Sequence, residues 1–455
     1  MSLAQSPPAD SLLTLPRALA IASQNYPSIK SKLAEIDATK ADLNARVASF
    51  LPGATFQAQG LYATSNGIRG AFFPNEGTAI PISGGIKVNG PTRDAVWNSF
   101  SSLVVNWKAV TFGRNKADLA LAQSDIQRAN ADYQQELFVH RVNVADAYLM
   151  SLIFEQSVRI QTANLGRIQS FRTVMQANTR SGLRPGVDSS LADAELAQAN
   201  LLLIESRRLS QQQRVRLGEL MGTPRNLAPL DTNTFRASLP PDFTSSEEML
   251  RNHPVLNLYR RQIDYGLARA ESIRKSYLPA ISLIGSFWAR GSGIKDYTTP
   301  EGNFIYNPSL GAGLPFRVAD YFAGFSTIWK FTDIFRIRQE TRAQLLRVQS
   351  DQHRYDEALL RIQGQQETAN LKIQNAYDAA RQAPIQLGAA QAAYQQAQAR
   401  YSAGLSNIYE FTQAFTLLNR AEIDQSVTTN NVWRALLLKS AAEGDLTDFV
   451  KLTTK

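Results

Sequence analysis

The residue types that most often do chemistry are sparse in this chain, and two carboxylates stand out by their positions. Asp188 and Glu410 each lie six residues after a glycine, in the near-identical phrases QANTRSGL (176–183) and QARYSAGL (398–405). The two carboxylates are 222 residues apart (410 − 188). A carboxylate in the first turn of a helix stabilises its positive end by about 0.3–1 kcal/mol, whereas a ring of carboxylates in a pore attracts cations. The positions predict helix starts after two matched turns and leave both roles open.

Composition excludes several classes of chemistry. The 455 residues include no cysteine, which excludes disulfides, a zinc ribbon and a cysteine nucleophile. The three histidines, His140, His253 and His353, have no metal-ligand spacing, and each is predicted to lie on a helix surface. We find no nucleophile motif, Gly-rich phosphate loop or metal cluster, so we expect no enzyme activity, no cofactor and no metal site.

The basic charge does not predict a nucleic-acid partner. The net charge is +9, but lysine and arginine are spread along helical stretches and form no single block. We therefore interpret them as solvated helix faces.

The N-terminus favours an exported protein. Residues 1–11, which begin MSLAQSPPAD, are expected to be a leader followed by an extended mature end. No apolar run reaches the roughly 18 residues of a membrane helix, so we expect no membrane-spanning helix.

The chain is internally duplicated. Landmarks in its first half recur in the second at an offset of 227 before the strand pair and 222 after it, as at Pro52 and Pro279 (279 − 52) and at Trp107 and Trp329 (329 − 107). A constant offset over some 75 residues indicates one large unit used twice, since solenoid repeats have periods of about 20–50 residues. The predicted divisions are a leader at 1–11, a first repeat at 12–224, a linker at 225–246, a second repeat at 247–443 and a tail at 444–455.

Each repeat predicts the same series: a helix, two strands, a long helix and a return helix. Proline stops the first helix of each repeat, because its ring bars continuation and it has no N–H. In the first repeat the later elements are strands at about 54–62 and 95–107, a long helix at 112–181 and a return helix at 188–221. In the second they are strands at about 280–289 and 321–330, a long helix at 334–403 and a return helix at 410–442.

The strands have the pattern of a membrane β-barrel. They are about ten residues long, they alternate weakly, as in ISLIGSFW (281–288), and a Gly/Pro/Asn-rich loop joins each pair. A soluble hairpin has the same periodicity and stays an alternative. In a membrane, four strands would leave two edges with unpaired backbone groups, so several chains would have to close one barrel.

The long helices predict antiparallel hairpins. Apolar residues recur at heptad spacing in the second copy, and a helix of this length spans roughly 100 Å at 1.5 Å per residue. We expect Gly182 and Gly404 to end these helices with a positive φ, which glycine adopts without Cβ strain. Each repeated phrase is thus the tip of a hairpin.

The repeated pattern of Tyr-Pro or His-Pro, Leu-Pro, strand pair, long helix, Gly-Leu and return helix resembles the TolC-like outer membrane factors over about residues 12–445. The resemblance implies a mixed fold, in which three chains close a transmembrane β-barrel of 12 strands and their helical hairpins form a periplasmic α-barrel. It implies the exit duct of a tripartite efflux pump or type I secretion system in the outer membrane of a Gram-negative bacterium, in contact with outer membrane lipid. The implied partners are two further copies, a periplasmic adaptor and an inner-membrane RND or ABC transporter. Some members carry a lipidated N-terminal cysteine, and we expect no such anchor here.

The resemblance also assigns site residues. It places Asp188, Tyr401, Glu410 and Gln413 at the periplasmic constriction. Gln413 stands where a second acid is expected, and Ser406 stands where an arginine link is expected, so this chain departs from the family's closed-state contacts at two positions. The helix tips that would dock the adaptor are Ser181, Gly182, Leu183, Ala403, Gly404 and Leu405. Trp107 and Trp329 would form an aromatic girdle at the barrel–helix junction, with ordinary core filling as the alternative.

Two other functions have less support from the sequence. A periplasmic adaptor or coiled-coil scaffold carries one helical hairpin with small β domains, whereas this chain has two hairpins at a fixed offset. An enzyme has no positive support. The sequence does not identify the cargo or the cognate transporter.

Overall fold

A computed structural model describes residues 12–64, 93–223, 227–232, 235, 239–241 and 252–453. The expected leader at 1–11 and most of the expected linker at 225–246 lie outside these residues.

Two very long helices and their return helices dominate the described chain. The helices are α1 (Leu15–Asn25), α2 (Pro27–Ala48), α3 (Arg114–Arg180), α4 (Gly186–Leu220), α5 (Pro254–Lys275), α6 (Leu310–Gly313), α7 (Asp333–Ser402), α8 (Ile408–Glu443) and α9 (Thr447–Leu452). The strands are β1 (Gly53–Thr64), β2 (Ala95–Val110), β3 (Ala280–Ser292), β4 (Ile294–Thr298), β5 (Phe304–Tyr306) and β6 (Val318–Ile328). The helical region at 15–50 is divided after Tyr26, because Pro27 cannot donate the hydrogen bond that would continue α1.

Contacts divide the chain into two compact units that cut across the sequence repeats. Unit 1 contains Met1–Lys40, Ser124–Gly266 and Leu346–Lys455, and unit 2 contains Ala41–Gln123 and Leu267–Leu345. Each unit therefore takes segments from both repeats, and the repeat boundaries remain a prediction from the sequence.

The core of unit 1 is built on the middle of α3. Tyr148 and Leu149 are fully buried there with Trp433 and Leu436 of α8. The Tyr148 hydroxyl donates a 2.8 Å hydrogen bond to the carbonyl of Leu13, which satisfies the one polar atom of a large buried ring. Contrary to the expectation from apolar runs, α3 is long and apolar enough to cross a membrane by length and composition, a test that a buried core helix also passes.

The prediction that all three histidines lie on helix surfaces is wrong for two of them. His140 is buried, stacks on Tyr26 at 3.9 Å, and hydrogen-bonds the Leu220 carbonyl through Nε2 at 2.8 Å. His253 is buried as well, and its Nδ1 accepts the Val255 N–H at 3.2 Å. Burial lowers the pKa of both rings, because it disfavours the imidazolium. Helical periodicity missed them, since it carries no information on distant segments: Tyr26 and Leu220 contact His140, and the Phe138 ring lies 5.8 Å from His253.

Unit 2 contains an antiparallel four-stranded sheet in the order β1-β2-β3-β6. The central pairing joins the two repeats, since β2 of the first pairs with β3 of the second, for example Leu103 with Phe287. β1 and β6 each have one partner in the sheet and form its two edges.

Two neighbouring rows on opposite faces of this sheet differ in polarity. Directly opposite residues share a face, so Phe56, Leu103, Phe287 and Tyr321 form one apolar row across all four strands. All four side chains are exposed, Tyr321 at 83%. The next row lies one residue further along each strand and points to the opposite face. It consists of Gln57, Ser102, Trp288 and Asp320.

Candidate functional site

The two hairpin ends of unit 1 are built by the same turn. Gly182 and Gly404 have φ of 74° and 76°, which confirms the expected left-handed conformation. At the first turn the Leu183 N–H bonds the Asn178 carbonyl at 2.9 Å, while the Gly182 N–H bonds Thr179. The second turn repeats this pattern. This pair of bonds is the Schellman arrangement, which needs a positive φ and so favours glycine.

A buried hydrogen bond joins the two hairpins at their tips. The Tyr401 hydroxyl, at the end of α7, lies 2.8 Å from Oδ2 of Asp188, in the first turn of α4. Both residues are buried, with Tyr401 2% and Asp188 7% exposed. The hydroxyl also lies 2.8 Å from the Met175 sulfur, but the carboxylate is the stronger acceptor and takes the proton. Burial, the hydrogen bond to Asp188 and its charge raise the pKa of Tyr401 to about 12, so the phenol stays a donor at physiological pH.

Arg184 holds Tyr401 from the other side. Its Nη2 donates a 2.6 Å hydrogen bond to the Tyr401 carbonyl, and its guanidinium carbon lies 4.5 Å from the centre of the Tyr401 ring. The ring face attracts the cation and the carbonyl fixes its direction. Arg184 thus ties the loop of the first hairpin to the end of the long helix of the second.

Glu410, the predicted acidic residue of the second tip, is exposed and has two local partners. Its carboxylate lies 3.9 Å from Arg400, and its backbone N–H donates to the Asn407 side chain at 3.0 Å. Asn407 is therefore the cap of α8, and Glu410 occupies the third helical position. Gln413 is also exposed, and Tyr409 next to Glu410 is 70% exposed. The two predicted acids therefore differ in environment. Asp188 is buried and accepts a hydrogen bond from Tyr401, whereas Glu410 is exposed to solvent.

Next to the tips, an aromatic cluster packs the hairpins together. Phe171 of α3 stacks on Phe411 of α8 with ring centres 4.0 Å apart, and Tyr394 of α7 lies 5.7 Å from Phe411. Further along, Arg167 makes a bidentate ion pair with Glu422, with bonds of 2.9 and 2.6 Å. The Phe171–Phe411 stack and the Arg167–Glu422 ion pair both connect the first hairpin to the second. Near the tips the hairpins are therefore joined by apolar packing and by opposite charges.

The leucines that follow the two glycines are exposed. Leu183 is 74% and Leu405 71% exposed, and the neighbouring Ser181, Gly182, Ala403 and Gly404 are exposed as well. Each hairpin thus presents one large apolar side chain at its end.

In unit 2 the two tryptophans make equivalent contacts. Trp107 donates its indole N–H to the Phe50 carbonyl at 2.9 Å, and Trp329 donates to the Tyr277 carbonyl at 3.2 Å. Phe50 and Tyr277 each stand immediately before a Leu-Pro pair, at an offset of 227 (277 − 50). Both rings are exposed, Trp329 at 50%. Each indole thus ties the end of its strand to the helix exit that precedes the sheet.

Three contributors to the tip were not found by sequence reasoning. Arg184, Asn407 and the Arg167–Glu422 pair act through contacts with distant or local partners that have no repeated spacing. An asparagine three residues before an acid at a helix start is a recognisable capping signal. Asn407 is therefore the contributor that the sequence could have predicted. Among the described residues, the buried Ser406 hydroxyl has no hydrogen-bond partner.

Comparison with known proteins identifies the family. The chain matches the family described as "Outer membrane efflux protein" over residues 18–223 and 246–437. It is 28% identical over 193 residues to the pyoverdine export outer membrane protein OpmQ of Pseudomonas putida. That match covers 40% of this chain and 38% of the relative, so it spans less than half of either protein.

Solved structures share the fold over nearly the whole chain. A membrane protein from Pseudomonas aeruginosa is 18% identical, with a TM-score of 0.74 over 95% of this chain and 90% of that one. The Campylobacter jejuni CmeC outer membrane channel is 14% identical, with a TM-score of 0.72 over 100% of this chain and 94% of that one.

Proposed function

Because this chain belongs to the outer membrane efflux protein family, we propose that it is the exit duct of a multi-component export system and that three copies form one passive conduit. The protein is located in the outer membrane, with its helical part in the periplasm. A conduit of this kind moves its cargo through a shaped opening and needs no catalytic residues.

The observation that carries the proposal is the open sheet of unit 2. An exposed apolar row on one face suits contact with lipid, and the polar residues on the opposite face suit an aqueous lumen. The edge strands β1 and β6 present unpaired backbone groups, which hydrocarbon does not tolerate. Pairing β6 of one copy with β1 of the next satisfies both edges, and three copies give a barrel of 12 strands.

The contacts at the hairpin tips support a conduit that rests closed. The Tyr401–Asp188 bond and the Arg184 clamp hold the two hairpins of one chain together. Opening the conduit requires these contacts to break, and an adaptor that binds the tips supplies the energy. The proposed partners are a periplasmic adaptor at the exposed leucines and an inner-membrane transporter of the RND or ABC class.

The same duct would serve either a tripartite efflux pump or type I secretion. Both functions use an outer membrane conduit, and family membership favours efflux. An adaptor or scaffold without a membrane barrel is not favoured, because the chain matches the channel family over both repeats.

Assembly is the direct test of this proposal. We expect the purified protein to be a trimer in detergent, by light scattering corrected for bound detergent. Backbone amides of β1 and β6 should be protected from hydrogen exchange, since both edges would be paired. A monodisperse monomer in which β1 and β6 exchange slowly would overturn the shared barrel, because each chain would then satisfy its own edges.

A further inference from the structure

An open cavity of about 400 Å³ lies on the polar face of the sheet in unit 2. Its strand residues all lie on the face opposite the apolar row, by the register of β2, β3 and β6. They are Asn106, Lys108, Ala280, Ser282, Ile284, Ser326 and Ile328. The rest of its wall comes from the chain that enters and leaves these strands.

Three cations converge on this cavity from three different segments. Lys108 comes from β2, Arg114 from the first turn of α3, and Lys330 from the residues between β6 and α7. Within the described part of the chain, none of these three side chains makes a hydrogen bond or an ion pair. Asp333 is the acid among the described lining residues, and Arg336 already holds it at 3.2 Å.

The local helix chemistry adds to the positive potential. α3 has no acidic residue in its first turn and begins instead with Arg114, where its own dipole is positive. A cation at that end is unfavourable for the helix. Such a departure from a local rule is expected where function requires the charge. The first residue of α7, Asp333, lines the same cavity, so two helix N-termini lie at its wall.

We propose that this cavity is a binding site for a small, multiply charged anion that bears carboxylate or phosphate oxygens. Lysine ammonium groups act as point charges for such oxygens, and the guanidinium of Arg114 presents a fork of donors that suits them in pairs. The serine hydroxyls of the two strands supply neutral donors beside the charges. If the polar face lines the lumen, as the proposed function requires, the site lies on the export path and favours anionic solutes.

Pyrophosphate binding tests the site directly. Titration calorimetry on the purified full-length protein in detergent, at low salt, should show binding that weakens as salt rises, because the partners are charged. The Lys108→Gln/Lys330→Gln variant should bind about tenfold more weakly or worse, since it removes two of three charges. The Lys108→Arg/Lys330→Arg variant keeps both charges and should retain binding, which separates loss of the site from loss of folding.

A matched control removes the same charge nearby. Lys116 lies in the first turn of α3 and Arg338 in the second turn of α7, and both are exposed residues that do not line the cavity. Lys116→Gln/Arg338→Gln should leave pyrophosphate binding unchanged. Equal weakening in both double variants would show general charge attraction and overturn the site, and so would no binding to the wild type.

Two further readouts separate this inference from the proposed function and from a lipid ligand. If pyrophosphate binds but planar bilayers show no conductance, the anion site stands and the duct fails. If the bilayers conduct but pyrophosphate does not bind, the duct stands and the site fails. Mass spectrometry should find no phospholipid or lipopolysaccharide that is bound to the wild type and absent from Lys108→Gln/Lys330→Gln. A lipid with that difference would replace the solute as the ligand of the cavity.

Discussion

The Tyr401 hydroxyl donates a 2.8 Å hydrogen bond to Oδ2 of Asp188, a residue 213 positions away in the sequence. The bond connects the end of the second long helix to the start of the first return helix, and both partners are buried. A buried bond to a carboxylate is among the stronger polar contacts in proteins. It therefore contributes strongly to holding the two hairpins together at their tips.

Removing this bond should favour the open conduit. Tyr401→Phe keeps the ring between Phe171, Phe411 and Arg184 but deletes the donor, and a bond to a charged group contributes about 1.5–3 kcal/mol. The open fraction should rise by about one to two orders of magnitude, since 1.4 kcal/mol is a factor of ten. Resting conductance in planar bilayers measures it. Tyr394→Phe is the control, because no hydrogen bond of the Tyr394 hydroxyl is found in the described chain, and its conductance should stay at the wild-type value.

Arg184 should act through Tyr401 and not through its charge alone. Arg184→Ala removes the carbonyl bond and the ring contact together, so resting conductance should rise as it does in Tyr401→Phe. Arg184→Lys keeps the charge but loses the planar fork, and we expect an intermediate value. Arg180→Ala removes an exposed arginine of the same turn region and should have no effect. Full closure in Arg184→Ala would contradict the clamp.

The exposed leucines should be the docking contacts of the adaptor. Leu183→Asp/Leu405→Asp keeps both glycines and their turns but places charge where an apolar contact is expected. Site-specific crosslinking to the adaptor should fall severalfold, with efflux falling in parallel, while the trimer persists. The control is Leu201→Asp/Leu417→Asp, two exposed leucines on the return helices. Wild-type crosslinking and efflux in the tip variant would remove these leucines from the interface.

Glu410 should influence ion selectivity. In three copies its exposed carboxylate would occur three times, and the charges would be only partly screened over a Debye length of about 8 Å. Glu410→Gln should therefore lower the preference for cations, measured as a reversal potential in a KCl gradient, and the difference should fade at high salt. Arg400 lies 3.9 Å away and offsets part of the charge, so Arg400→Gln should shift the potential in the opposite direction. An unchanged reversal potential in Glu410→Gln, with an intact trimer, would show that Glu410 only stabilises the start of its helix.

The buried histidines should make stability depend on pH. Burial lowers the pKa of His140 and of His253 in the folded state, while an unfolded histidine titrates near 6.5. Above that pH both states are neutral. Below it only the unfolded state takes up protons, so the free energy of unfolding falls until the pH passes the lower folded pKa. The melting temperature should therefore drop as the pH falls from 7.5 through about 6.5, and His140→Gln/His253→Gln should flatten that drop relative to His353→Gln, whose ring is exposed. An unchanged slope in the double variant would assign the pH dependence to other groups.

The sequence by itself determined the features that depend on neighbouring residues. The turns at Gly182 and Gly404 follow from one property of glycine, a positive φ without a Cβ clash, which needs no tertiary contact. The family also follows from the sequence, because the landmarks recur in order at two constant offsets, and this recognition is confirmed.

Only the tertiary structure decided which distant side chains meet. Nothing in the spacing of Asp188 and Glu410 distinguishes them, yet one is buried against Tyr401 and the other is exposed beside Arg400. The pairing of β2 with β3, the Arg184 clamp and the burial of His140 are likewise contacts between segments many residues apart. Periodicity reports which face of one element is apolar, but it carries no information on which other element covers that face.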